Sequence, residues 1–286
     1  MNDATQAAHL PEPLTHETPA DDDYHRRFGG VARLYGAAGL ARLEVASVCV
    51  VGIGGVGSWV AEALARNALG RITLIDLDHI ALSNTNRQIH ALGDAYGRAK
   101  VEAMAERILA INPRCRVTQI DDFVTTDNVA ELLGTGHDYV IDAIDAVRVK
   151  TAMLGWARRS GVPVITCGGA GGQFDPTRVR IDDLARTIQD PLLSKVRASL
   201  RKDWGFTRDP KKKFGIAAVY SDEPLQYPEP EQQACEIDEA PPVAAMAPAG
   251  PQGLACAGFG SSVAVTAVFG FVAASAVIGA IAKGNA

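Results

Sequence analysis

Three glycines in "VVGIGGVGSWVAEALAR", Gly52, Gly54 and Gly57, form G-x-G-x-x-G between an apolar run and an amphipathic one. A chain turns this sharply from strand into helix only where bare backbone replaces side chains. The glycines allow the tight turn, close approach of a phosphate and tight strand–helix packing. Gly55 adds further freedom. The amides left at the helix N-terminus suit an anion, so the loop points to a nucleotide. A tight turn without a ligand is the bland alternative, and the motif alone does not separate NAD from ATP.

The rest of the first half repeats the same unit. "GRITLIDLD" predicts the next strand and "RAKVEAMAERILAIN" a helix stopped by Pro113. "CRVTQIDDFV" predicts a third strand, and "NVAELLG" a short helix ended by Gly134. "YVIDAID" reads as a buried strand, "AVRVKTAMLGWARRSG" as a helix and "VPVITCGGAGG" as a strand running into glycines. Before them, "VARLYGAAGLARLEVA" predicts a short helix over 31–46. This alternation predicts an α/β fold, a doubly wound and mostly parallel sheet with helices on both faces. In such sheets ligands bind beyond the carboxyl ends of the strands. The aspartates at 76/78 and 142/145 and the glycines at 52–57 and 168–172 are therefore expected to converge on one crevice.

A chain of 286 residues suffices for one large α/β domain with an attachment. A net charge of −5 argues against a non-specific nucleic-acid coat but allows a local patch. Cys49, Cys115, Cys167, Cys235 and Cys256 form no paired spacing, so a reducing, cytoplasmic setting is the default. Residues 1–23 hold six acidic groups and no Lys or Arg, unlike a secretory or transit leader. They are expected to be a disordered acidic tail, with the core spanning 24–190. Lys195 to Lys213 holds eight basic and two acidic residues, within a less regular region over 191–253 that ends in the Pro/Ala/Gly-rich "EAPPVAAMAPAGPQG". Residues 254–286 carry an apolar run, 259–282, of membrane-spanning length. Membrane association through it is the alternative. Its glycines, serines and threonine favour a helix buried against the sheet, which is also apolar all round.

The stretch after the loop decides the chemistry. Asp76 ends the second strand, where a carboxylate can accept from ribose hydroxyls. "IDLDHIALSNTNRQ", "GRAKVEA" and "DYVIDAIDAVRVK" closely resemble the E1-like activating superfamily. That resemblance implies a Rossmann-like, E1-like ATP-binding fold in which ATP adenylates a carboxylate and pyrophosphate leaves. It assigns Asp76 to the ribose, and Asn84, Arg87 and Lys100 to the phosphates. Asp145 it assigns to Mg²⁺ and catalysis. Fixed cations suit a reaction that builds charge on the α-phosphate and leaving group. The bland readings are solvent-facing charges for Arg87 and Lys100 and a helix cap for Asp145. No C-x-x-C pair occurs, so the zinc of the sulfur-carrier adenylyltransferases has no support here.

"RRFGGVARLYG", "TCGGAGGQFDPTRVRIDDLARTIQDPL" and "ACAGFGSSVAVTAVFGFVA" narrow the resemblance to the tRNA threonylcarbamoyladenosine dehydratase family, from about Arg26 to about Ile281. It implies ATP-dependent cyclisation of the threonylcarbamoyl group on a tRNA adenosine, with release of AMP. The alternative is activation of the C-terminus of a small sulfur-carrier protein. Ring closure within one nucleoside needs little outside nucleophilic help, so Cys235 and Cys256 are expected to be structural thiols rather than a covalent relay. The resemblance also implies a homodimer whose N-terminal arginine crosses to the partner's ATP site. Gly30 stands where that arginine is expected, leaving Arg26, Arg27 and Arg33 as candidates. A monovalent cation and a sulfur-transfer protein partner stay open. For tRNA contact the candidates are Arg201, Lys202, Lys211, Lys212 and Lys213 as phosphate partners. Trp204 and Phe206 either stack on a splayed base or anchor the segment.

Overall fold

In a computed structural model of the protein, residues 11–15, 21–134, 136–227 and 259–285 are described. Seven strands form a single sheet: β1 (Ser47–Val51), β2 (Arg71–Ile75), β3 (Arg116–Ile120), β4 (Tyr139–Asp142), β5 (Val164–Cys167), β6 (Val179–Asp183) and β7 (Ala217–Ser221). Their order is β3-β2-β1-β4-β5-β7-β6, parallel except for β6, which runs antiparallel to β7 at the edge. The order reverses between β1 and β4, which places the ligand crevice over their carboxyl ends. The burial of β1 along its whole length is that of a strand covered on both faces.

The expected alternation is present. Helices α2 (Gly57–Arg66) and α3 (Lys100–Ile111) follow β1 and β2. Short α4 (Val129–Leu133) follows β3, and α5 (Val147–Ser160) follows β4. The N-terminal helix α1 (Asp21–Val45) is longer than the sequence suggested and breaks at Gly36, which is not helical. The expected disorder of residues 1–23 is corrected in part. Leu14 exchanges backbone hydrogen bonds with Val117, covering the exposed edge of β3, and α1 begins at Asp21. Open strand edges invite such cover.

The larger correction concerns 191–253. Helix α6 (Pro191–Asp203) packs on α5, and β7 inserts between β5 and β6 in the main sheet. Residues 191–227 are thus part of the core rather than an irregular attachment; the Pro/Ala/Gly-rich segment lies outside the described residues. The apolar run forms α7 (Val263–Lys283), which packs against α2, α1 and β5 to β7. Val265, Phe269, Ala273, Val277 and Ile281 recur every four residues and are buried in the core shared with α2. At Gly270 a Cβ would lie 2.7 Å from the Val56 carbonyl oxygen, so the missing side chain lets α7 approach the first turn of α2.

Candidate nucleotide-binding site

The turn out of β1 is held by backbone. Gly52 takes a positive φ of 88° and donates its amide to the Ile75 carbonyl at 2.9 Å. A Cβ at Gly57 would overlap the Gly52 carbonyl, so only glycine lets α2 start here. No side chain caps α2, whose N-cap is Val56. The Ser58 and Trp59 amides close onto the carbonyls of Gly54 and Val56, and the positive end of the helix dipole faces the crevice, where it favours an anion. The residues present fit a nucleotide phosphate.

Around this loop the sequence-assigned residues gather. Asp76 is buried, and its Oδ2 accepts the Ile53 amide at 2.6 Å while Oδ1 accepts the Asp78 amide at 2.9 Å. The carboxylate thus ties the glycine loop to the end of β2. Burial pushes its pKa up, opposed by Lys100, whose Nζ lies 3.8 Å from Oδ1, and by the two amides. Lys100, at the start of α3, is buried and donates to Asp78 Oδ2 at 2.6 Å. Asn84 Oδ1 accepts the Ala81 amide at 3.1 Å, closing a 3-10 turn over Leu82–Asn84. Its carbonyl receives the Arg87 amide at 3.1 Å. Arg87 lies across the loop: its Cγ and Cδ would each be 3.2 Å from a Cβ at Gly55. Its Nη1 donates to the Ser83 carbonyl (2.7 Å) and to Asn86 Oδ1 (2.9 Å), and the Trp59 indole binds its carbonyl at 2.9 Å. Burial lowers the Arg87 pKa, and among the described residues it forms no ion pair with a carboxylate. A guanidinium so placed is poised for an anionic ligand.

At the other lip, Asp142 pairs with Val51 across β1 and β4, and Asp145 is exposed in the turn before α5. The sequence reading missed what holds this lip. Lys150 is fully buried; its Nζ donates to Asp142 Oδ2 (2.7 Å), Thr166 Oγ1 (3.0 Å) and the Cys167 carbonyl (2.9 Å). Thr166 Oγ1 also donates to Asp142 Oδ2 at 2.7 Å. A lysine among the apolar positions of "AVRVKTAMLGW" was the available signal. Beyond β5, Asp190 caps α6 through the Leu193 amide (2.8 Å) and binds the Gly169 amide (3.0 Å).

Other candidates fall elsewhere. The chain leaves Asp190 at the carboxyl end of β5, and α6 carries it back along the sheet. Arg201 and Lys202 thus sit toward the amino ends of the strands, and Lys211 to Lys213 precede β7, parallel to β5. A helix of 13 residues spans about 20 Å, so this run lies on the rim opposite the crevice. Of its two open roles, Trp204 takes the packing one: its ring rests on the Gly155 backbone, with Arg159 4.1 Å from its centre. Phe206 packs edge-to-face on Phe214. Arg27 donates to the carbonyls of Ala110 and Ile111 at the end of α3, a structural use, while Arg26 and Arg33 are exposed. Cys49, Cys115 and Cys167 are buried; Cys235 and Cys256 lie outside the described residues.

A Rossmann-like sheet with a glycine loop, a strand-end carboxylate and an N-x-x-R-Q turn defines one class of nucleotide-binding protein. The sequence pattern of the ThiF family matches residues 24–284, and the chain belongs to that family. Over 255 residues it is 53% identical to the tRNA threonylcarbamoyladenosine dehydratase of Escherichia coli (strain K12), covering 89% of this chain and 92% of that one. The Haemophilus influenzae protein of the same name is 49% identical over 263 residues, 92% of this chain and 95% of its own. Among solved structures, E. coli TcdA in complex with ATP superposes with a TM-score of 0.80 at 49% identity, covering 93% of this chain and 98% of that one.

Proposed function

We propose that this chain catalyses ATP-dependent dehydration of N6-threonylcarbamoyladenosine in tRNA, closing a ring through an acyl adenylate. The observation that carries this reading is the convergence of Arg87, Lys100, Asp76 and the uncapped start of α2 on one crevice. The full-length similarity to dehydratases supports the choice of substrate over a sulfur-carrier protein.

In this reading the glycine loop, the positive end of α2 and Asn84 cradle the phosphates, and Asp76 accepts from the ribose. Arg87 and Lys100 stabilise charge that grows as the substrate carboxylate oxygen bonds to the α-phosphorus and pyrophosphate departs. Lys100 reaches the phosphates by leaving Asp78. Asp145, exposed at the other lip, would hold Mg²⁺, which would neutralise phosphate charge there. A nucleophile in the same modified side chain then attacks the acyl carbon, and AMP leaves with the former carboxylate oxygen. The overall loss is one water, and holding both partners on one nucleoside supplies the effective molarity. The reading includes a cytoplasmic homodimer, with Arg26 or Arg33 crossing between subunits.

The test is mass spectrometry of nucleosides from threonylcarbamoyl-modified tRNA incubated with protein, ATP and Mg²⁺. A product lighter by one water, with matching AMP, is expected. AMP formed only with a Gly-Gly-terminated carrier protein would transfer the assignment to carrier activation.

A further inference from the structure

The turn from β4 into α5 is closed from behind by an ion pair. Asp142 ends β4 and Lys150 lies in the first turn of α5; both side chains are fully buried and their charged atoms are 2.7 Å apart. The pair is a clasp across residues 143–146, which include exposed Asp145. Asp142 Oδ1 accepts the Ile144 amide at 3.3 Å, and the Ala143 amide donates to the Val51 carbonyl at 2.9 Å. The turn also lies against the glycine loop. A Cβ at Gly52 would sit 2.9 Å from Ile144 Cγ2 and 3.1 Å from the Ala143 carbonyl oxygen, and one at Gly57 would sit 3.3 Å from Ala143 Cβ.

The clasp extends to the next strand. Thr166 stands opposite Asp142 in the β4–β5 register, and its hydroxyl bridges the pair, accepting from Lys150 and donating to Asp142. The third Lys150 bond goes to the Cys167 carbonyl, the last of β5. An ammonium has three donors, and all three are used. Closed off and fully bonded, Lys150 has nothing left for a ligand. Stability alone does not require a lysine here, because apolar side chains of similar volume hold such a site as well or better. What the ion pair adds is direction: its bonds fix where β4 ends, where α5 begins and how the turn between them leans on the glycine loop.

We propose that Lys150 is a positioning residue for the reaction. Through Asp142 and Thr166 it holds the 143–146 turn against the glycine loop, so that Asp145 stands beside the phosphate site. This rests on the reading above, in which Asp145 serves ATP and Mg²⁺. Thr166→Val removes the bridging hydroxyl with little change of shape, and Thr166→Ser keeps it. The binding readout is the ratio of the ATP Kd without Mg²⁺ to that with it, by calorimetry without tRNA. Thr166→Val should lower this ratio and the kcat for AMP formation about 10-fold each, leaving the metal-free Kd and the KM for tRNA unchanged. Thr166→Ser should keep both at wild-type values. Lys150→Met combined with Asp142→Asn, which removes both charges together, should show the same loss with wild-type circular dichroism. In an Asp145→Ala background Thr166→Val should lower the ratio no further. A reduced urea midpoint with ratio and kcat unchanged would make the cluster structural only and overturn the proposal. An additive loss in the double variant, or a wild-type ratio in Asp145→Ala alone, would overturn it too. Should wild-type protein fail to dehydrate the tRNA, the functional reading falls and the Kd ratio decides alone. A loss in Thr166→Val that Thr166→Ser does not share then upholds the positioning role, and equal ratios overturn it.

Discussion

Arg87 owes its position to its own turn. Its amide, carbonyl and guanidinium are each bound within Ser83–Arg87 or by Trp59, so its charge is aimed before any ligand arrives. Arg87→Ala should cut kcat/KM for AMP formation about 100-fold or more, and Asp145→Ala should abolish it, both with wild-type circular dichroism. Wild-type turnover in either would remove that residue from the mechanism. Three residues on, His90 is buried with neither ring nitrogen bonded among the described residues. Burial, with Lys100 and Arg107 nearby, pushes its pKa down to about 4. Below pH 6.5 the unfolded chain protonates this histidine while the folded one does not. Stability is therefore complete above that pH and falls as pH drops toward 4, by up to about 3 kcal/mol. His90→Gln should flatten the fall in urea midpoint between pH 7.5 and 5; an unchanged fall would assign it to other groups. The sequence made Arg87 and Lys100 legible because their placement at the crevice follows a motif. His90 and Lys150 were not, because burial of a polar side chain depends on partners distant in the chain.

The strands and helices were legible where they alternate, and opaque where the chain doubles back. β6, with most of its side chains outside the core, lacks the apolar run that marks the central strands, and β7, "AAVYS", is apolar but short and follows the basic run. Their pairing is settled by tertiary contacts that no local pattern displays. The lip formed by β4, β5 and α5 depends on the Lys150–Asp142 pair, fully out of solvent on both sides. Lys150→Met should destabilise the protein by about 3–5 kcal/mol by stranding a buried carboxylate. Adding Asp142→Asn should recover much of that loss in urea unfolding. A double variant no more stable than the single would mean that packing, not charge, holds the lip.

Viewed entire, the molecule keeps its nucleotide chemistry and its densest cationic run on opposite rims of the sheet. The run was visible in the sequence; its distance from the crevice follows from the direction of α6 and β7. A tRNA is large enough to touch both rims. Neutralising Lys211, Lys212 and Lys213 should therefore weaken tRNA binding and reduce the salt slope by about 2–3, with kcat intact. An unchanged slope would leave the run to solvent. The apolar run, ambiguous by length alone, became a core helix because α2 offers it a face to cover. That pairing carries a cost during synthesis. On the ribosome α7 emerges roughly 200 residues after α2, some 10–40 s later at ordinary elongation rates. Until then the helix behind the glycine loop waits with the face that α7 will cover left open to solvent, so the nucleotide loop is synthesised long before the packing that backs it is complete.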